Sequence, residues 1–511
     1  MVDFQILLLT FIVMLSAIIP MYLSFVEVVT AVIDKKSNDD VSYTRHILEF
    51  PSEILWVTSK FYNLDVNKNI DINSSYNRPI LLVTQTTDGN IHTIDMAASG
   101  VPHFPQSTTH LNISTFKVNA SDDTGGPLIT DLNSDSNYEV LSTTINGSLA
   151  VIDYRRTGIS MLDDSTKLST RTQVVPYFDN LKGESRLLGV SENGTLLTIE
   201  SPLKNIQNGI NGNTSKFAIE VIKTNFTNIL TDGRIVVGNL DNNDNGSNNE
   251  VLVLADPVNS YPHGALGDIF EPTKLLLLEL CPDNNSNTKT STALCLKEIL
   301  RPPEGMEVFE TIKPEIIEFA NGTKTSKGFA IVASNISVGS AAHIYDDTLV
   351  IKFSSKPIGQ GFRWLLILGA AKLNNNNQSM LVINETPHLS GIVKFIDIKN
   401  TNKTLKIEGF SAHDYGSRNI GMYAIKDIDN DGQDDLIIPT LSKKKIAILS
   451  ISDNNDTIYV NDNLELNDKL SSNIITLDIN SDGYLDIIAG DRSGNLYIFS
   501  SQAKYENQNI A

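Results

Sequence analysis

Asp427-Ile428-Asp429-Asn430-Asp431-Gly432-Gln433-Asp434-Asp435, running straight into Leu436-Ile437-Ile438, is the stretch that decides how this chain folds. A second stretch matches it: Asp478-Ile479-Asn480-Ser481-Asp482-Gly483-Tyr484-Leu485-Asp486, running into Ile487-Ile488-Ala489. In both, carboxylate or amide oxygens occupy loop positions 1, 3, 5 and 9, with glycine at 6. A tight turn with that spacing aims hard oxygen ligands at one point, which suits Ca2+. An EF-hand is excluded, because position 12, where it needs a bidentate Glu, is Ile438 or Ala489. Strand-forming residues flank both loops, so each is expected to join two antiparallel strands. In the second copy these are 474–477 and 486–490, followed by a turn at 491–495 and a third strand at 496–499.

Degenerate copies lie upstream. Asp131, Asn133, Asp135 and Glu139 keep the oxygens, but Ser136 stands where glycine belongs. Asn239-Leu240-Asp241 starts in register and then runs long to Glu250. Asp71-Ile72-Asn73 ends at Pro79, Lys372 to Asn377 has lost its charge, and weaker echoes lie near Asp179 and Glu318. Metal is expected in the loops at 427, 478 and 131, while the insertion counts against the loop at 239. The competing reading is an acidic turn bonded only to its own backbone, and repetition argues against it.

After each loop comes an apolar run, a small polar turn and another apolar run. The turns include Thr87-Asp88-Gly89-Asn90, Asn146-Gly147 and Glu192-Asn193-Gly194. The units start near 71, 131, 179, 239, 318, 372, 427 and 478, and no helical periodicity of useful length follows residue 45. The expectation is an all-β chain: a β-propeller of seven, possibly eight, four-stranded blades over residues 45–503, after an N-terminal hydrophobic helix.

These repeats resemble FG-GAP repeats, the units of the integrin α-subunit N-terminal β-propeller. The resemblance spans roughly residues 50–500 and is strongest to free-standing propeller proteins related to the plant exine-formation protein. It rests on the two complete loops and on Gly100-Val101-Pro102-His103-Phe104-Pro105 before the loop at Asp131. It implies calcium on Asp427, Asp429, Asp431 and Asp435, on Asp478, Asn480, Asp482 and Asp486, and on Asp131, Asn133, Asp135 and Glu139. It also implies a role in adhesion or surface assembly.

Residues 4–33 are almost wholly apolar, so residues 1–35 read as a cleaved signal peptide or a retained transmembrane anchor, and 504–511 as a tail. Lys35 and Lys36 after the run would, by charge bias alone, point the propeller toward the cytosol. Other features argue for the secretory lumen or the cell exterior. Asn-X-Ser/Thr acceptors occur fifteen times, among them Asn73, Asn112, Asn146, Asn193, Asn225, Asn321, Asn335, Asn402 and Asn455. Cys281 and Cys295 flank a polar loop and are placed to close a hairpin disulfide, the alternative being two buried thiols.

A net charge of −20 argues against nucleic acid as a partner. The eight histidines show no metal-ligand spacing, and no nucleophile elbow, P-loop or zincin motif occurs. The expected function is a calcium-stabilised binding scaffold for protein or glycan, with segments 202–230, 255–275, 335–362 and 455–470 as variable insertions on its surface. The alternative is a polysaccharide-acting enzyme, lyase or hydrolase, on the same scaffold. A deep central pocket with converging charged side chains favours the enzyme, and a filled channel favours the scaffold. Trp56 and Trp364 are expected to pack between blades.

Overall fold

A computed structural model describes residues 28–32, 41–61, 80–96, 112–132, 138–153, 158–162, 166–179, 184–200, 220–240, 250–282, 292–321, 324–373, 378–400, 403–452 and 457–503. They form eight antiparallel sheets arranged as the blades of a β-propeller. Blade 1 runs Ile54–Phe61, Ile80–Thr86, Asn90–Asp95, Asn112–Lys117. Blade 2 runs Leu128–Thr130, Glu139–Thr143, Leu149–Asp153, Gly158–Leu162, and blade 3 Val175–Asp179, Glu184–Val190, Leu196–Glu200, Glu220–Lys223. Blade 4 uses Val236–Gly238, Glu250–Val258, Glu271–Pro282 and Thr292–Leu300. In blade 5 the inner position is shared by Val308–Phe309 and Glu315–Asn321, both paired with Lys324–Asn335, before Gly339–Asp346 and Ile351–Ser354. Blade 6 is Leu365–Leu373, Gln378–Glu385, Ile392–Asp397, Thr404–Glu408; blade 7 is Ala424–Lys426, Asp435–Pro439, Lys445–Ile451, Ile458–Glu465.

Blade 8 closes the ring. Its inner strands Ile475–Leu477, Asp486–Gly490 and Asn495–Ala503 come from the end of the described chain, and its fourth, Val41–Glu49, comes from the beginning. The register runs from Val41 opposite Ala503 to Glu49 opposite Asn495. Eight is therefore the blade number that the repeat spacing left open between seven and eight. The repeat starts at 131, 239, 427 and 478 fall where the first strand of a blade gives way to the second, those at 179, 318 and 372 fall in the first strand itself, and the one at 71 lies outside the described residues.

The apolar run near the N-terminus ends differently from the expected helix. Val28–Val32 is a strand paired outside Val41–Glu49, with Val28 opposite Leu48. Its sequence, Val-Val-Thr-Ala-Val, is rich in β-branched residues, whose stiff χ1 angles favour extended backbone. Residues 1–27 and 504–511 lie outside the described residues. Among the described residues no helix is long and apolar enough to cross a membrane. All four expected surface insertions are also corrected. Segment 202–230 holds the outer strand of blade 3, 255–275 the facing ends of two blade 4 strands, 335–362 two strands of blade 5, and 455–470 the outer strand of blade 7.

The core lies in wedges between blades. Leu48, Ile54, Leu82 and Ile498 fill the wedge between blades 8 and 1, and Ile47, Ile437, Ile448, Tyr497 and Phe499 the one between blades 7 and 8. A repeated backbone staple links five of the consecutive pairs. Where the chain leaves one blade for the next, one residue donates its N–H to the hairpin of the blade just finished. Ala120 donates to Gly89 O, Leu168 to Gly147 O, Ile229 to Gly194 O, Phe410 to Gly391 O and Leu470 to Lys443 O, at 2.8–3.1 Å. The same five residues bridge forward to Thr144, Ser191, Ala255, Thr440 and Asp491 of the following blade. The turn glycines are required here: Gly194 has φ +71°, and a Cβ on it would sit 2.7 Å from Ile229 O. Trp56 and Trp364 are buried as expected, donating Nε1–H to Asp122 O (3.1 Å) and Glu310 O (3.0 Å).

Leu48 tests the closure. It is fully buried in the seam, so Leu48→Ala should cost about 2–5 kcal/mol in urea unfolding. A loss under about 0.5 kcal/mol, the scale of a surface substitution, would mean that the closing strand is not part of the cooperative core.

Candidate metal centre

The first-to-second-strand loops of blades 7 and 8 lie side by side on one face of the ring. In blade 7 the chain leaves Ala424–Lys426, turns through left-handed Asn430 (φ +62°) and Gly432 (φ +88°), and re-enters at Asp435. Asp427, Asp429 and Asp435 each offer a carboxylate oxygen, all within 4.8 Å of one another. The backbone holds them there: Gly432 N donates to Asp427 Oδ2 (3.0 Å), Asp431 N to Asp429 Oδ1 (3.2 Å) and Ile428 N to Asp435 Oδ2 (3.2 Å). Asp427 Oδ1 is buried and has no hydrogen-bond partner. Asp431, the remaining sequence-read ligand, is not in that group, and its Oδ1 accepts from Gln433 N at 2.7 Å.

Blade 8 repeats the backbone turn, with Ser481 (φ +58°) and Gly483 (φ +90°) in the matching left-handed positions, but among the described residues only the blade 7 carboxylates converge. Gly483 N donates to Asp478 Oδ2 (3.0 Å), Asp482 N to Asn480 Oδ1 (3.1 Å) and Ile479 N to Asp486 Oδ2 (2.7 Å). Asn480 Nδ2 donates to Asp482 Oδ2 (2.9 Å). The two loops touch through Asn430 Nδ2 and Gly483 O, 2.9 Å apart.

Crowded, buried carboxylates resist ionisation. Burial and then its acidic neighbours push Asp429 up to about 6, and burial with Asp429 and Asp431 pushes Asp435 up to about 8. Burial with Asp482 and Asp478 pushes Asp486 up to about 7. A divalent cation relieves that repulsion, and an oxygen-only donor set of this kind is what Ca2+ takes. The blade 7 residues therefore fit the ion.

The degenerate copies share one bond and diverge in what neutralises it. Leu132 N donates to Glu139 Oε2 (2.9 Å) and Leu240 N to Glu250 Oε2 (3.0 Å), the same position-2 bond as in blades 7 and 8. Glu139 is buried and Asp131 half-buried; Asn133 and Asp135 lie outside the described residues. In blade 4, Lys297 Nζ lies 3.1 Å from Glu250, so an ammonium stands where a metal would otherwise compensate the acid. In blade 3, buried Arg186 pairs with Asp179 at 3.0 Å and Glu200 at 2.9 Å.

Cys281 and Cys295 form a disulfide across the blade 4 hairpin. Of the glycosylation acceptors, Asn146, Asn193 and Asn225 are exposed and Asn335 half-buried. Asn112 and Asn321 sit on strands, while Asn73, Asn402 and Asn455 lie outside the described residues. Asn384, also in an acceptor triplet, is fully buried and bonded to Phe410 O and Ala412 N, which bars modification of the folded chain.

The opposite face carries what the sequence did not disclose. His388 Nε2 and His413 Nδ1 hydrogen bond at 2.8 Å, though no spacing links them in the sequence. Burial holds both neutral, His413 down at about 3. The blade 4 loop 259–270 folds across this face, with Gly416 N donating to Ala265 O (2.9 Å). Its Asp268, with Asp123 and Asp232, surrounds the Arg418 guanidinium at 3.0–3.2 Å. Along the axis the channel is not filled: a cavity of about 400 Å³ is lined in part by Arg234, Lys313 and Arg418.

No family model matches the chain, and no curated protein sequence matches it. Among solved structures, two described as BBS1N in complex with ARL6DN are similar in fold. The one soaked with mercury is 11% identical with a TM-score of 0.37, covering 89% of this chain and 98% of that chain. The one soaked with lead is 9% identical with a TM-score of 0.38, covering 75% and 93%.

The raised carboxyls fix a sign. A group that titrates higher folded than unfolded makes the metal-free fold bind extra protons, so stability falls as pH rises through the shifted values. The five histidines that burial depresses stay partly protonated in the unfolded chain until about one unit above 6.5, so the clean window runs from about 7.5 to about 8.5. In chelator, the melting temperature should fall across that window; calcium should raise it, most at the upper end. Asp435→Asn should melt at or above the parent in chelator and lose most of the calcium increment. Identical melts with calcium and with chelator near pH 8.5 would make these loops ordinary turns.

Proposed function

We propose that this chain is a calcium-stabilised propeller of the FG-GAP type, working in the secretory pathway or at the cell surface as a binding scaffold for a protein partner. The observation that carries the scaffold reading is an apolar belt on the face opposite the acidic loops. Leu389 is 77% exposed, Tyr415 64% and Ile336 47%, with Phe362 and Leu441 beside them. They come from different blades and are connected. Gly361 N bonds to Ile336 O, Phe362 stacks on His263 at 5.3 Å, and Tyr415 meets His388 edge-on at 5.3 Å. A Cβ on Gly391, two residues after Leu389, would lie 2.9 Å from Leu441 Cδ2. Monomeric proteins rarely leave so many large apolar side chains together without a use for them. Apolar anchors flanked by aromatics suit protein more than glycan, which remains the other partner class.

Three features support the compartment. The Cys281–Cys295 disulfide needs an oxidising environment to persist. Exposed acceptors at Asn146, Asn193 and Asn225 are accessible to a glycosylation machinery. Loops of this kind need calcium levels found outside the cytosol. Residues 1–27 would supply the leader or anchor.

Capture from native cell surfaces with the propeller in calcium, followed by release in chelator, should recover a partner protein. Leu389→Asp with Tyr415→Ala should lose it while melting like the parent. Undiminished capture by that variant would exclude the belt.

The polysaccharide-acting enzyme is kept as a second reading because the central channel contains a cavity with basic side chains rather than being filled. Incubation with acidic polysaccharides decides it: shortened chains or new reducing ends support the enzyme, and unchanged polymer removes it.

A further inference from the structure

The central cavity is unusual in a chain of net charge −20, because among the described residues no Asp or Glu lines it. Three cations do: Arg234, Lys313 and Arg418. Their acidic partners stand behind them. Arg418 is paired with Asp123, Asp232 and Asp268, and Lys313 with Glu315 at 2.9 Å, none of them part of the cavity wall. The region as a whole is near neutral, but the surface facing the space presents nitrogen.

Arg234 differs from the other two. It is buried, and all of its hydrogen bonds go to backbone carbonyls: Arg171 O, Asp123 O (3.2 Å) and Arg418 O (3.3 Å). Among the described residues no carboxylate forms an ion pair with it, although Asp232 and Asp123 act on it at longer range. Burial lowers it only to about 10, so it stays charged at neutral pH. Its guanidinium lies flat on the backbone at Gly125 (φ +93°), where a Cβ would sit 3.0 Å from Arg234 Cζ. The glycine and the carbonyls from three different crossings hold the fork in one position. Apart from the amides of Gln173 and Asn473, the rest of the wall is apolar or aromatic, with Trp56, Ile235, Ile420 and Tyr423.

We infer that the axial cavity is a binding site for a small organic anion, its charged group held by Arg234 and its carbon body set against the Trp56, Ile420 and Tyr423 walls. Three of the five Arg234 N–H donors go to backbone carbonyls, which leaves two to meet a carboxylate or phosphate oxygen, and a buried charge lacking an ion pair gains most from one. The volume falls in the range of small-molecule pockets. The site rests neither on metal in the rim loops nor on the apolar belt, so its failure leaves those readings untouched.

Benzoate and its uncharged analogue benzamide provide the test, titrated calorimetrically into the full propeller in calcium. Benzoate should bind saturably, weaken as salt rises, and exceed benzamide by at least about ten-fold. Arg234→Gln should lose about ten-fold for benzoate and nothing for benzamide. Lys313→Gln alters a partly exposed side chain and should weaken benzoate several-fold with an unchanged melt, which keeps the test valid if the Arg234 variant fails to fold. No saturable benzoate binding, or equal binding of benzamide, overturns the site.

Discussion

Antiparallel pairing of Val41–Glu49 with Asn495–Ala503 is the constraint on which the rest of this structure depends. Seven blades follow one another as local hairpins, but the eighth exists only when the two ends of the propeller meet. That contact spans more than 400 residues of chain, so it is the least local and entropically most expensive pairing in the molecule. Once it forms, Leu48 and Ile47 complete the wedges on both sides of blade 8. The crossing staples then carry the constraint round the ring. After four of the crossing residues comes a serine: Ser121, Ser169, Ser411 and Ser471 each donate their N–H to a strand of the following blade. Ser471 Oγ also reaches Ile54 O (2.7 Å), across the seam itself.

The acidic loops abut the same seam. Asp486, the last oxygen of the blade 8 loop, accepts from Ser501 N (2.9 Å) in the strand that receives the closing strand. Tyr43, on the closing strand, sits near enough to Asp435, Asp429 and Asp486 for their charges, after burial, to drive its hydroxyl well above its usual range. The complete metal-type loops thus belong to the two blades beside the closure. Blades 3 and 4, far from it, neutralise their corresponding acids with Arg186 and Lys297. On the proposed reading, a bound cation would answer in blades 7 and 8 the electrostatic problem that internal cations answer in blades 3 and 4, and it would do so reversibly, which would tie the closure to the calcium of the surroundings.

How much of this the sequence disclosed depended on whether the signal was local. The loops at 427 and 478 were legible because their spacing, glycines and flanking strands all lie within a dozen residues. The repeat starts were legible for the same reason, even in blade 6, where every acid has gone. Blade number was not, because Val41–Glu49 carries no loop of its own and its role depends on residues at the other end of the propeller. The strand at Val28–Val32 was hidden inside an apolar run whose composition also suits a leader. The Arg418 cluster draws on blades 1, 3 and 4, and the His388–His413 contact on a hairpin and a crossing 25 residues apart. Neither has a period or spacing to find. The serine after four of the five crossing residues is a local signal of these junctions, since Ala120-Ser121, Leu168-Ser169, Phe410-Ser411 and Leu470-Ser471 recur at comparable positions in their repeats.

The account holds that calcium in the loops of blades 7 and 8 secures the seam between the two ends of the propeller. Amide hydrogen exchange of residues 41–49 and 495–503, compared in calcium and in chelator at one pH, tests this most directly. The account predicts that calcium slows exchange in both strands together with loops 427–435 and 478–486, while the second and third strands of blade 3 are unchanged. Equal exchange of the seam in calcium and in chelator would contradict it.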